Sequence, residues 1–362
     1  MRDGGKLMRQ KVRIGFVLSS LLAATAPCWA AKNDEIEAFY KGRPVSVIIT
    51  GSPGSIYDMY ARTITQYMSK YIPGNPTFVP RSMIGGGHLV GTNYLYNVAP
   101  RDGSVIGSIG ETMPLTQVLE PEATRFDVSK FNWIGNPNIA NLTLAVWSKS
   151  GVISLQDAMK SEVVIGASGA NSPSGQTPTL LNNILGTKFK VVNGFPANQL
   201  DIAMERGEID GRGSAQWHWW KFNRSDWVRD KKINILVQIG PRKDPDLSQV
   251  PLLSELARTP EERQIFDLFS STVTVGRPLL APPDVPKERI KALRAAFDIV
   301  MKDKAFLEDA KKLNLEVDPL SGEMLQAAVT AVTKTPADVI ARAKIAIGIA
   351  KSGSGEKSET EK

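Results

Sequence analysis

From Arg43 onward, short apolar and β-branched runs alternate with helical periodicities. That alternation restricts the chain to an α/β class with helices on both faces of its sheets. Pro44–Thr50 reads as a buried strand and Gly51–Gly54 as the turn after it. Ile56, Met59, Tyr60, Ile64, Tyr67, Met68 and Tyr71 then recur at helical spacing, opened by Ser55 with Asp58 in capping-box position. Further strands are expected at Thr77–Val79, Ser104–Ile109, Leu142–Trp147, Val163–Gly166, Phe189–Val192, Ile233–Ile239 and Ser271–Leu280, with a short one in Gly207–Gly211. Helices are expected from Gly87 through Val98 and at Thr177–Leu185, Ala197–Arg206, Pro286–Met301, Lys304–Leu313 and Ser321–Ile349. The β/α series restarts near Val146. This order predicts two lobes: 36–145 opens the first, 146–275 forms the second, and 276–350 returns to the first and carries the C-terminal helices.

The N-terminus has a different character. Arg2, Lys6, Arg9, Lys11 and Arg13 precede an apolar run, Ile14–Ala26, of 13 residues, shorter than the roughly 20 needed to span a bilayer. Cys28-Trp29-Ala30 then offers a small-x-small site. This is the layout of a secretory signal peptide covering 1–30, with cleavage expected after Ala30, or after Ala31, and export to the periplasm. The full chain of 362 residues carries a net +7. Cleavage takes away five basic residues and one acidic one, which reduces +7 to +3, and it removes the only cysteine. The remaining basic pairs are scattered and not interleaved with aromatics, so nucleic acid is not an expected partner. The tail 351–362 is polar, low in complexity and expected to be disordered.

Three strand-to-helix loops are rich in small residues: Gly51–Ser55, Gly85–His88 and Gly166–Ser174. Glycine lets backbone N–H groups approach a ligand, and a following helix N-terminus adds partial positive charge, so such loops can hold an anion without a cationic side chain. In open α/β sheets they gather where ligands bind, at the carboxyl ends of the strands. The candidate contacts are Ser52, Gly54, Ser55 and Tyr57 in the first loop, Gly86, Gly87 and His88 in the second, and Ser168, Asn171 and Ser172 in the third. Asp210 and Arg212, in a turn at a strand end, join them; Arg212 could grip a carboxylate with two bonds or simply be solvated. Gln216 opens the cluster Gln216-Trp217-His218-Trp219-Trp220, which reads either as a cleft wall or as a packed aromatic patch. No phosphate-binding or dinucleotide motif is present, and neither histidine comes with a serine elbow or a nucleophilic cysteine. No catalytic set, metal site or cofactor is expected.

Several blocks carry a resemblance: Val47-Ile48-Ile49 leading into Ser52-Pro53-Gly54 and Asp58-Met59-Tyr60-Ala61-Arg62; the long run Met83–Gly103; Gly166–Gly169; Gly207–Gly211; and Ala281–Pro286. Through them the chain, from about Pro44 to Ile349, resembles the solute-binding receptors of tripartite tricarboxylate transporters, the Bug family. The resemblance implies a two-lobed type II periplasmic binding protein, a Venus flytrap, with a small organic carboxylate held between the lobes largely by loop amides. The expectation is a non-enzymatic monomer that docks on membrane transporter subunits and hinges about crossing strands near Val146 and Val275; the alternatives are a ligand sensor for a signalling partner or a secreted hydrolase or transferase. The family's first loop usually reads Pro-Gly-Gly with Thr-Asp at the helix start. Here Pro53-Gly54-Ser55 and Tyr57-Asp58 stand instead, so the larger Tyr57 is expected to re-shape the pocket.

Overall fold

The computed structural model describes residues 1, 28–170, 172–196 and 199–349. Residues 2–27 of the expected signal peptide lie outside that range, as do Asn171 and the tail. The strands are β1 (Val45–Ile49), β2 (Phe78–Ser82), β3 (Val105–Ser108), β4 (Asn132–Asn136), β5 (Leu142–Trp147), β6 (Val163–Ala167), β7 (Phe189–Asn193), β8 (Gly211–Gln216), β9 (Ile233–Ile239), β10 (Leu279–Ala281) and β11 (Leu320–Ser321). Between them lie α1 (Cys28–Tyr40), α2 (Ile56–Met68), α3 (Leu89–Asn97), α4 (Met113–Leu119), α5 (Leu155–Lys160), α6 (Pro173–Leu185) and α7 (Leu200–Arg206). Then come α8 (Trp217–Asn223), α9 (Ser225–Arg229), α10 (Pro260–Val275), α11 (Lys287–Val300), α12 (Lys304–Lys312), α13 (Gly322–Thr333) and α14 (Ala337–Ala346).

They build two mixed sheets, ordered β11-β4-β10-β3-β1-β2 and β7-β6-β8-β5-β9. β1, β2 and β3 run parallel, so the loops that follow them emerge at one edge of the first sheet. β6, β7 and β8 do the same in the second. Each sheet is covered on both faces. In the first, Val47, Ile49, Ile64, Leu293 and Phe297 pack on one side, and Ile48, Leu95, Trp133, Leu325 and Val329 on the other. In the second, Leu144, Ile165, Leu181 and Phe266 pack on one side, and Ala145, Met204, Trp220 and Trp227 on the other. This is the two-lobed α/β architecture the alternation predicted.

Several elements differ from the expectations. The stretch 271–280 is no strand: Ser271–Val275 ends α10, and only Leu279–Ala281 pairs in a sheet. Thr259 caps that helix by accepting from the Glu262 N–H, and Pro260 sits in its first turn. The hydroxyls of Ser271 and Thr272 bond back to the carbonyls of Leu268 and Phe269, so β-branched and hydroxylated residues are accommodated in helix. β4 was not anticipated, because Asn132-Trp133-Ile134-Gly135-Asn136 alternates poorly. Its Gly135 is required by the close approach of Phe297, whose ring carbon would lie 2.2 Å from a Cβ there.

The turn-and-strand expected at Gly207–Gly211 moves on: β8 begins at Gly211. The single helix expected over Ser321–Ile349 breaks at Pro336 into α13 and α14.

The chain passes from the first sheet to the second through Pro137–Asn141, before the expected change at 145/146, and returns through Gly276–Pro278. Val146 lies within a second-sheet strand and is no crossing, whereas the return expected near Val275 falls directly after it, at Gly276–Pro278. The C-terminal helices also divide. α14 packs Val339, Ala343 and Ala346 into the core that holds Leu181 and Phe266, and Asn183 on α6 donates to the Ala346 carbonyl at 2.9 Å. Asn136 joins the two crossings. Its Nδ2 donates to Asn138 O (2.8 Å) and Thr274 O (3.1 Å), while its Oδ1 accepts from the N–H groups of Asn138 (3.2 Å) and Arg277 (3.0 Å).

Candidate functional site

A cavity of about 440 Å³ opens where the loops after β1, β2 and β3 face the start of α6. That size is in the range of small-molecule sites. The first sheet supplies Tyr57, Gly86, Gly87, His88, Leu89 and Glu111, α4 supplies Leu115, Thr116 and Leu119, and the second sheet supplies Ser172, Pro173 and Gln176.

Each wall is held by its local sequence. Ser55 caps α2 by accepting from the Asp58 N–H. The Asp58 carboxylate reaches back to the Gly54 N–H (3.0 Å) and accepts from Arg62 Nε (2.7 Å), so the pair pins the first loop although it is not the reciprocal box expected. Tyr57 then projects into the cavity, where its hydroxyl donates to the Glu111 carboxylate. Burial and the Glu111 charge both push the tyrosine pKa up. Gly87 (φ 60°) and His88 (φ 80°) both take left-handed backbone, the second at a non-glycine residue. This turns the His88 ring onto Gly110, where a Cβ would lie 2.6 Å from its Cδ2. His88 Nδ1 is 2.8 Å from Thr50 Oγ1. That hydroxyl also lies within donating distance of the Ser108 carbonyl (3.2 Å).

Burial, partly offset by Glu111, lowers the His88 pKa from its ordinary 6.5. The unfolded chain therefore takes up a proton near that value which the folded chain resists. The stability contributed by neutral His88 is present above pH 6.5 and lost as pH falls further. A thermal midpoint recorded from pH 8 to pH 5 should fall more steeply for the wild type than for His88→Asn; parallel curves would refute this.

Of the expected contacts, Tyr57, Gly86, Gly87, His88 and Ser172 meet at this cavity. Ser52 and Gly54 lie exposed in the turn before α2, and Ser55 serves as its cap. Ser168 is exposed, its N–H donating to Ser174 Oγ at 3.0 Å. Asp210 accepts from the Val164 N–H (2.8 Å). Arg212 turns to the far face of the second sheet and is held by Asp201 at 2.8 Å, which corrects its reading as a ligand clamp. Gln216, at the end of β8, reaches the returning crossing instead of the cavity: its amide oxygen accepts from Arg277 Nη2 at 2.6 Å and also from Nη1. The tryptophans after it are core, with Trp220 fully buried.

Two residues the sequence reading passed over matter here. Glu111 lies in the loop after β3. Arg277, only 7% exposed, lies behind Tyr57 with its guanidinium carbon 6.0 Å from the ring centre and its Nε without a partner among the described residues. A lone cation in the apolar run Val275–Leu280 was the signal that could have revealed Arg277.

Two sheets with covered faces, two adjacent crossings and a cavity at the carboxyl ends of parallel strands define the two-lobed fold of a type II periplasmic binding protein. Solved structures place the likeness more narrowly. A ligand-free TctC solute-binding protein from Polaromonas superimposes with a TM-score of 0.64 at 16% identity, over 86% of this chain and 100% of that one. The periplasmic binding protein BugD gives 0.61 at 18% identity, over 84% and 99%. MatC from Rhodopseudomonas palustris with bound malate gives 0.58 at 18% identity, over 84% and 99%. No family model and no curated protein matches the sequence.

Proposed function

We propose that the chain is a periplasmic, non-enzymatic receptor that captures a small organic carboxylate and delivers it to a tripartite tricarboxylate-type membrane transporter. The observation that carries this reading is the cavity's position. It lies between the carboxyl ends of two parallel strand sets, on a fold shared with a protein solved with malate. The α6 N-terminus at one wall favours negative charge. Tyr57, Gly86, Gly87, His88 and Ser172 would contact the ligand, and rotation of the two sheets about the crossings at 137–141 and 276–278 would bury it.

Acyl-transfer chemistry finds no support. The Ser172 hydroxyl donates to Gly169 O (2.7 Å) and lies 2.8 Å from Ser174 Oγ, and neither serine is bonded to a histidine. The test is a thermal-shift panel on the exported chain with malate, adipate and citrate against nucleotides and sugars. A carboxylate at 100 times its Kd should add about 2.7 kcal/mol to stability. A panel in which only nucleotides or sugars raise the midpoint would sink the proposal.

A further inference from the structure

We infer that the ligand carries a protonated nitrogen as well as a carboxylate, and that Glu111 receives that nitrogen. The inference rests on the receptor reading above and narrows its ligand class. Glu111 and Glu120 line the cavity, and among the described residues no Lys or Arg does; Glu111 is the one tied to Tyr57 at the cavity wall. Among the described residues no basic side chain forms an ion pair with Glu111, and its side-chain partner is the Tyr57 hydroxyl. A carboxylate offers about four acceptor positions, so most of its capacity is unspent. His88 stands beside it, with Nδ1 against the Thr50 hydroxyl and the neutral ring favoured by burial, so it adds no competing positive charge.

Two carboxylates with no Lys or Arg among the described lining residues form a poor wall for a ligand that is anionic throughout. A purely anionic ligand would meet like charge there and would leave both carboxylates dry once the cleft closed, whereas an ammonium supplies three donors and the opposite charge. The opposite wall, at Ser172, Pro173 and Gln176, belongs to the N-terminal turn of α6 and suits the carboxylate end. The cavity is thus polarised along the direction between its two sheets, as an amino-carboxylate is polarised along its own length. Tyr57 fixes the arrangement. It occupies one Glu111 oxygen, while Arg277 lies 6.0 Å from its ring centre and forms no ion pair with Glu111 among the described residues.

The experiment is calorimetric titration of the exported chain with matched pairs: aspartate against succinate, glutamate against glutarate, 2-aminoadipate against adipate. The better-bound pair should favour its amino member by about tenfold or more in Kd, and Glu111→Gln, which keeps an acceptor for Tyr57, should bring the two members level. If the desamino member binds as well or better, the inference falls and the carboxylate-receptor reading stands. A preference that survives in Glu111→Gln overturns the role of Glu111. Binding of neither member of any pair overturns both readings. The unliganded melting point checks that Glu111→Gln is folded; if it is not, Glu111→Asp, which keeps the charge, should retain the preference, and its loss there would count against the inference.

Discussion

Replacing Asp201 with alanine is expected to lower stability by about 3–5 kcal/mol, the range for removing one partner of a buried ion pair. Its carboxylate is 2% exposed and receives Arg212 Nη1 at 2.8 Å, Arg224 Nε at 3.1 Å and Trp219 Nε1 at 3.0 Å. Arg212 is itself only 12% exposed, and its guanidinium lies 5.9 Å from the rings of Trp219 and Trp220. Without Asp201 that guanidinium keeps one hydrogen bond, to the Ser214 carbonyl, and loses its counter-charge. Chemical denaturation followed by tryptophan fluorescence reads the loss. Asp201→Asn, which keeps an acceptor, should cost less than Asp201→Ala. A loss below about 1 kcal/mol in the alanine variant would mean that the arginines are solvated as surface pairs are.

Trp220→Ala is expected to cost a similar amount, about 3–5 kcal/mol, through the cavity it leaves. The ring is fully buried, stacks on Trp227 at 5.9 Å between centroids, and donates from Nε1 to Thr143 Oγ1 at 2.9 Å. The truncation removes the donor to that hydroxyl as well as opening space beneath β5. The two substitutions share neighbours, so the double variant should lose less than the sum of the singles. The outcome that would reverse the assignment is little change in stability with a large loss of carboxylate binding, because that is how a cleft wall behaves.

These residues show what the sequence reveals and where it stops. The parallel strands were legible because Val45-Ser46-Val47-Ile48-Ile49 and Val163-Val164-Ile165 are β-branched and end at glycine- or serine-rich turns. Loops built from such residues must lie at strand ends, so the sequence already brings Gly86, Gly87, His88 and Ser172 to strand ends, and the structure sets them around one cavity. β4 and α10 escaped because tertiary context overrode local preference: a strand of Asn, Gly and Trp is stabilised by pairing on both sides, with β11 and β10, and a β-branched segment is held helical by the core it packs into. Arg212 and Gln216 were misplaced because strand alternation says that successive residues face opposite ways without saying which face holds the cleft. Glu111 was missed because a single acid in a loop has no periodicity. Its significance comes from its place in a cavity whose described lining holds no Lys or Arg, which only the folded chain displays.

Asn136 carries a mechanical consequence. Two backbone crossings between lobes could twist independently, each adding its own soft torsions, and the cleft could then open in many directions. Here one amide side chain bonds to the backbone on either side, and Gly276 presses against it so closely that a Cβ would fall 2.4 Å from Asn136 Nδ2. The crossings are thereby coupled into a common pivot. An opening motion about it has few degrees of freedom to lose when the cleft shuts, which keeps the entropy penalty of closure low.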